Sequence, residues 1–240
     1  MFRLTAFVLA LTLVSCATHD SRSASAPSTL PDFPLEAYLN AATGSVYQID
    51  SNSSSADILV RRGGKLARFG HDHVVSARNI YGYLKVAGAH PDGSRADLRL
   101  QLMSLAVDDP LTRKKFNLDT EPSQADIQNT SQNMQEKVLE SDKWPQIHLQ
   151  IVVTGGTLDA LEARLTVTLH GQQVTFPIVI RVDEFTPGQL VAIGSFNLMQ
   201  SAFGIQSFSV LGGGLYVEDT IEVHYRLVAR QLLSSAKKQN

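Results

Sequence analysis

The chain has 240 residues, with 21 Lys and Arg against 23 Asp and Glu and a formal net charge of -2 at pH 7. No stretch is basic enough to neutralise a run of phosphates, which argues against nucleic acid as a partner, and Lys237-Lys238 reads as part of a solvated tail over 233–240. A single cysteine, Cys16, rules out a disulfide within the chain and leaves a Cys-based zinc or redox site without partners.

In chain order, Arg3 precedes an apolar run from Leu4 to Val14 with no acidic residue before Asp20. That run is far shorter than the ~20 residues of a spanning helix, so residues 1–15 read as a signal peptide. It ends in Leu13-Val14-Ser15-Cys16, which resembles the bacterial lipobox. The resemblance implies acylation of Cys16, and Ala17 in place of Asp implies an exported lipoprotein on the periplasmic side, anchored to the outer membrane. Residues 16–44 are rich in Ser, Ala and Pro and read as a tether, in which Phe33 to Leu39 can pack as a short helix.

About 195 residues remain after the tether, with the domain itself over 45–232, enough to bury a sizeable core. Its dominant signal is alternation of apolar and polar residues. Leu161, Ala163, Leu165, Val167 and Leu169 alternate with Glu162, Arg164, Thr166, Thr168 and His170, a period of two that predicts a strand with one buried face. Leu98 to Leu102, Val174 to Val182 and Ile221 to Leu227 repeat the pattern. Further strands are expected at Tyr47–Ile49, Asp57–Arg61, Ile80–Val86, Ile147–Val153 and Leu190–Leu198. Turn residues at Gly155-Gly156, His170-Gly171-Gln172 and Pro187-Gly188 make the connections short and antiparallel. Gly212-Gly213-Gly214 lacks the Lys-Ser/Thr pair of a phosphate loop and reads as a bulge or turn.

One helical stretch stands out, Asp126–Ser141, ended by Trp144-Pro145. The expected fold is therefore all-β with one helix: an antiparallel barrel of about eight strands, closed at one end by a helical plug. That strand number can enclose a cavity for one small ligand. The two rows flanking His170-Gly171 place Leu165, Val167, Leu169, Phe176 and Ile178 on the inner face, with Phe203 and Ile205 near the same interior.

His71 and His73 stand at i, i+2, which in an extended segment points both rings to one side. They can meet the polar end of a ligand, or start a metal site with Asp72, His148, His170 or His224, or make local hydrogen bonds in a turn. The head-group role needs less coincidence, because no His-x₃-His or His-Glu-x-x-His pattern occurs, and no metal is assigned. No Gly-x-Ser-x-Gly elbow occurs either, so no catalytic residue is assigned. Asp108-Asp109 with Arg113-Lys114-Lys115 reads as a solvated loop leading to the helix.

Met134 to Ile147, through Asp142-Lys143-Trp144-Pro145, resembles the helix-to-strand signature of the YceI-like proteins. Thr166 to Gly171 followed by Phe176-Pro177-Ile178, Phe203-Gly204-Ile205, and Tyr47-Gln48-Ile49-Asp50 are similar to further segments of that family in the same order. The resemblance covers about Tyr47 to Arg230 and departs from the commoner pattern at Ser51-Asn52-Ser53-Ser54 and Arg68 to His73. It implies a lipocalin-like barrel that holds a polyisoprenoid chain, such as that of a quinone, and a charged loop at 108–115 near the cavity mouth. The expected function is binding or sequestering an apolar-tailed lipid without catalysis. The alternatives are a metal-binding protein or metal-dependent enzyme built on His71 and His73, and a structural envelope lipoprotein with a solid core. Oligomeric state is open.

Overall fold

The computed structural model describes residues 35–39, 44–88 and 92–232. The strands are β1 (Ser45–Ile49), β2 (Ser55–Val60), β3 (Arg62–Gly63), β4 (His73–Ala77), β5 (Ile80–Val86), β6 (Arg95–Gln101), β7 (Ala106–Val107), β8 (Gln146–Thr157), β9 (Ala160–Leu169), β10 (Gln172–Thr186), β11 (Gln189–Met199), β12 (Ser209–Val210), β13 (Leu215–Val217) and β14 (Thr220–Gln231). The helices are α1 (Leu35–Leu39), α2 (Pro110–Lys115) and α3 (Gln124–Asn133).

Eight strands close into an antiparallel barrel in the order β1-β5-β6-β8-β9-β10-β11-β14, with β14 returning to β1. Closure depends on a handover along one edge of β14. Its end pairs with β1 (Tyr47 opposite Gln231) and its middle with β2 (Ala56 opposite Tyr225), and β2 leads on to β4 and β7. The Ser51–Ser54 segment makes the step. Asp50 accepts from Ser53 Oγ at 3.0 Å and Arg230 Nε at 2.8 Å, and buried Ser54 Oγ accepts from Val228 N at 3.0 Å.

The alternating rows behave as expected of a half-buried sheet. On β9 every second residue, from Leu161 to Leu169, is buried, and β10 answers it residue for residue, Phe176 opposite Leu165 and Ile178 opposite Ala163. The hairpin between them turns on His170 and Gly171, both at positive φ, and a side chain on Gly171 would meet the Trp144 ring at 2.5 Å.

α3 begins two residues before the expected helix, because Ser123 caps it in a reciprocal box with Asp126. It continues as a wider π-turn over Met134–Val138, and it is there, not on α3, that the barrel end is plugged: Val138 and Leu139 pack on the core around Leu102, Phe203 and Ile205. The charged segment at 108–115 is a correction. It is a capped helix rather than a solvated loop, with Asp109 accepting from Thr112 N, Pro110 in the first turn, and both Asp108 and Arg113 buried.

α1 lies inside the segment read as tether, yet its Tyr38 is fully buried on the outer wall of the barrel. The ring sits 6.3 Å from that of Tyr83 and 4.7 Å from the Arg95 guanidinium, and its hydroxyl donates to Asp97. Residues 1–34, with the stretch read as a signal peptide and Cys16, and the tail 233–240 lie outside the described residues. Among the described residues no helix is long and apolar enough to cross a membrane.

Candidate functional site: an apolar cavity in the barrel

The barrel encloses a cavity of about 250 Å³. Its walls come from every strand of the barrel: Ile49 on β1, Ile80 and Leu84 on β5, Leu98 and Leu100 on β6, Leu149 and Ile151 on β8, Leu161 and Leu165 on β9, Ile178 and Ile180 on β10, Ala192 and Phe196 on β11, Val223, Tyr225 and Leu227 on β14. These are the inward positions of the alternating rows, so the lining follows from the strand period. The cavity reaches the rim where the β5–β6, β8–β9 and β10–β11 hairpins turn, at Gly88, Ser94, Thr157, Leu158 and Phe185. Leu158 and Phe185 are 44% and 46% exposed, in contrast to Leu165 at 2%, so the rim presents apolar side chains to the outside.

Polar groups are sparse on these walls. Lys85, Ser94, Arg95 and Thr157 belong to the rim, which leaves Tyr225 as the polar side chain at mid-depth. Its ring packs 6.0 Å from Phe196, itself 5.7 Å from Phe176. Burial pushes the Tyr225 phenol up to about 12, so it stays protonated at any physiological pH.

Of the residues expected at a ligand site, Leu165 and Ile178 line the cavity. Val167, Leu169, Phe203 and Ile205 are buried in the solid core toward the plugged end, and half-buried Phe176 packs against them. The structure does not bring His71 and His73 to the cavity. Their rings are neighbours, 6.1 Å apart, but His73 pairs with Val60, beside the Leu59–Glu222 pair and so far along β14 from the rim.

What surrounds His73 is a buried ionic network. His73 Nδ1 lies 2.6 Å from Asp108 Oδ2, and Asp108 Oδ1 accepts from Arg113 Nη1 at 2.5 Å and from Val74 N at 3.0 Å. Arg113 also donates to the carbonyls of Asp72, at 2.8 Å, and Thr120. Burial raises the Asp108 carboxyl, but the hydrogen bonds and charge of His73, the Val74 amide and Arg113 outweigh it and hold the group below the usual carboxylate range. Asp108 and Arg113 thus serve this network and do not line the cavity mouth. Among the described residues no three His, Cys, Asp or Glu side chains are gathered to hold a metal ion.

Among the lining residues missed were Tyr225, Phe196, Leu98, Leu100, Val223 and Leu227. Most stand in the alternating rows at 98–102 and 221–227, which carried the signal for their inward direction but none for their depth along the barrel.

No family model matches the chain, and no curated protein matches its sequence. Solved structures do match in shape. A polyisoprenoid-binding domain from Saccharophagus degradans implicated in plant cell wall breakdown superposes with a TM-score of 0.54 at 12% identity, over 78% of this chain and 98% of that one. BcnA from Burkholderia cenocepacia gives 0.54 at 12% identity over 75% and 98%, and the Campylobacter jejuni YceI protein 0.50 at 12% over 66% and 84%. The fold is that of the YceI-like proteins.

Proposed function

We propose that this chain is an envelope lipoprotein, exported and held to the outer membrane through acylated Cys16, that binds or sequesters one apolar-tailed lipid without catalysis. The observation that carries the binding function is the cavity itself: a space of about 250 Å³ walled by aliphatic and aromatic side chains and open at a rim where Leu158 and Phe185 stand beside Lys85 and Arg95. Such a space is costly to leave empty and offers little hydrogen bonding to water. Burying about ten methylene equivalents of a chain contributes roughly 8 kcal/mol at ~0.8 kcal/mol each, which before ordering costs corresponds to about micromolar affinity. The polyisoprenoid binding of the Saccharophagus domain, which shares the fold at 12% identity, supports an isoprenoid chain, for example that of a quinone, as the ligand.

Filling the space tests this. Ala192→Trp places an indole on the cavity wall and is expected to lower retention of a lipid probe at least tenfold while leaving the melting temperature close to that of the native protein. Undiminished binding by a folded Ala192→Trp variant would place the lipid elsewhere.

Anchoring is tested separately. Cys16→Ser is expected to move the protein from the membrane fraction to the soluble periplasmic fraction with its fold intact. A variant that still sediments with outer membranes would refute the anchor.

A further inference from the structure

Tyr225 is unusual among the residues that line the cavity. Its hydroxyl is packed away from both solvent and the cavity space and has no hydrogen-bond partner among the described residues, although the residue stands where phenylalanine would fill the same wall. A buried hydroxyl without a partner is unfavourable, and native proteins rarely keep one without a use. The backbone provides a seat for it. Gly194 lies directly opposite on β11, and a side chain there would fall 2.4 Å from the hydroxyl oxygen. The other residues at this level, Ala56, Ala192 and Phe196, carry no polar side-chain atom.

We propose that the Tyr225 hydroxyl turns off Gly194 and donates a hydrogen bond to an uncharged carbonyl oxygen carried by the ligand at mid-depth in the cavity. This deepens, and rests on, the lipid-binding function proposed above. The chemistry selects the group. A neutral phenol is a good donor. A carboxylate or phosphate brought to the same depth would be desolvated, and the cations of the lining, Lys85 and Arg95, belong to the rim. A bare hydrocarbon would leave the hydroxyl as orphaned as before. The ligand class is therefore an apolar chain with a ketone-like oxygen, of the quinone, ester or amide type, buried with the chain rather than held at the mouth.

The test compares two probes matched in length, a symmetrical dialkyl ketone and the n-alkane, on the full-length protein and on Tyr225→Phe. The substitution is expected to weaken the ketone about tenfold and the alkane less than twofold. Infrared spectroscopy of the bound ketone should show its carbonyl stretch shifted to lower frequency in the native protein and returned to the hydrocarbon-solvent value in Tyr225→Phe. An unshifted stretch in the native protein overturns the proposal even if the variant fails to fold. Equal loss of both probes also overturns it, because it would mark Tyr225 as a packing residue. If the native protein takes up neither probe, lipid binding itself is refuted, an outcome distinguishable from an alkane and a ketone that both bind without regard to the hydroxyl.

Discussion

Leu165→Asp is expected to leave no folded protein under conditions where the native chain is stable. Leu165 is 2% exposed, at the centre of β9, against Ile151 on one side and Phe176 on the other. An ionised carboxylate there has no cation and no hydrogen-bond donor, and even the neutral acid keeps unpaired oxygens in an apolar wall. The cost exceeds several kcal/mol, which is most of the about 5 to 15 kcal/mol that holds a typical domain together. Circular dichroism melting checks it: a cooperative transition near the native temperature would mean that the inner face of β9 is the other set of residues.

The second large effect is expected at the plugged end. Asp108→Ala removes the partner of a buried guanidinium and of His73, leaving Arg113 with the carbonyls of Asp72 and Thr120, the Thr120 hydroxyl, and no counter-ion among the described residues. Breaking a buried ion pair from one side typically costs about 3 to 5 kcal/mol, because the surviving charge stays buried without its partner. The pH dependence gives an independent readout. Asp108 is held below its ordinary value in the folded state, so its contribution is complete above the unfolded pKa near ~3.9 and is lost as pH falls through the lower folded value. Native protein should therefore lose stability steeply on acidification below about pH 4. In Asp108→Asn that part of the acid limb should flatten. Urea titrations across this range, showing the same slope in both proteins, would contradict the network as described.

Much of the barrel was legible because its strands are long and one-sided. The row from Leu161 to Leu169 alternates without interruption and that from Val174 to Val182 is broken only by an outward Val179, and period two can only be satisfied by a sheet with one buried face. Shorter pieces carried less signal. β4, His73-Val74-Val75-Ser76-Ala77, is buried at four successive positions because it is covered from both sides, so its pattern never alternates. Two helix starts carried local signatures that went unread, the Asp109-Pro110 cap of α2 and the Ser123–Asp126 box of α3.

The site divides along the same line. Alternation tells which way a side chain points, and so Leu165 and Ile178 were found. Whether an inward residue meets empty space or other side chains depends on its depth in the closed barrel, which is set by strand pairing across distant parts of the chain. Val167 and Leu165 differ by one step of the pattern, yet Leu165 lines the cavity and Val167 lies in solid core. The histidines illustrate the other limit. Their i, i+2 spacing was visible, but the partner that defines His73 is Asp108, 35 residues away, and the end of the barrel they occupy follows from the pairing of β4 with β2.

The central claim, that the barrel holds one apolar-tailed lipid, is tested most directly by purifying the protein from its native envelope without detergent, extracting it with organic solvent and quantifying the extract by mass spectrometry. Lipid binding predicts a single class of apolar-chain species, carrying a carbonyl or comparable uncharged oxygen, at close to one molecule per chain. An extract with no apolar species above the level recovered from a control protein of similar size would contradict it, and would make the cavity of about 250 Å³ a feature of packing rather than of function.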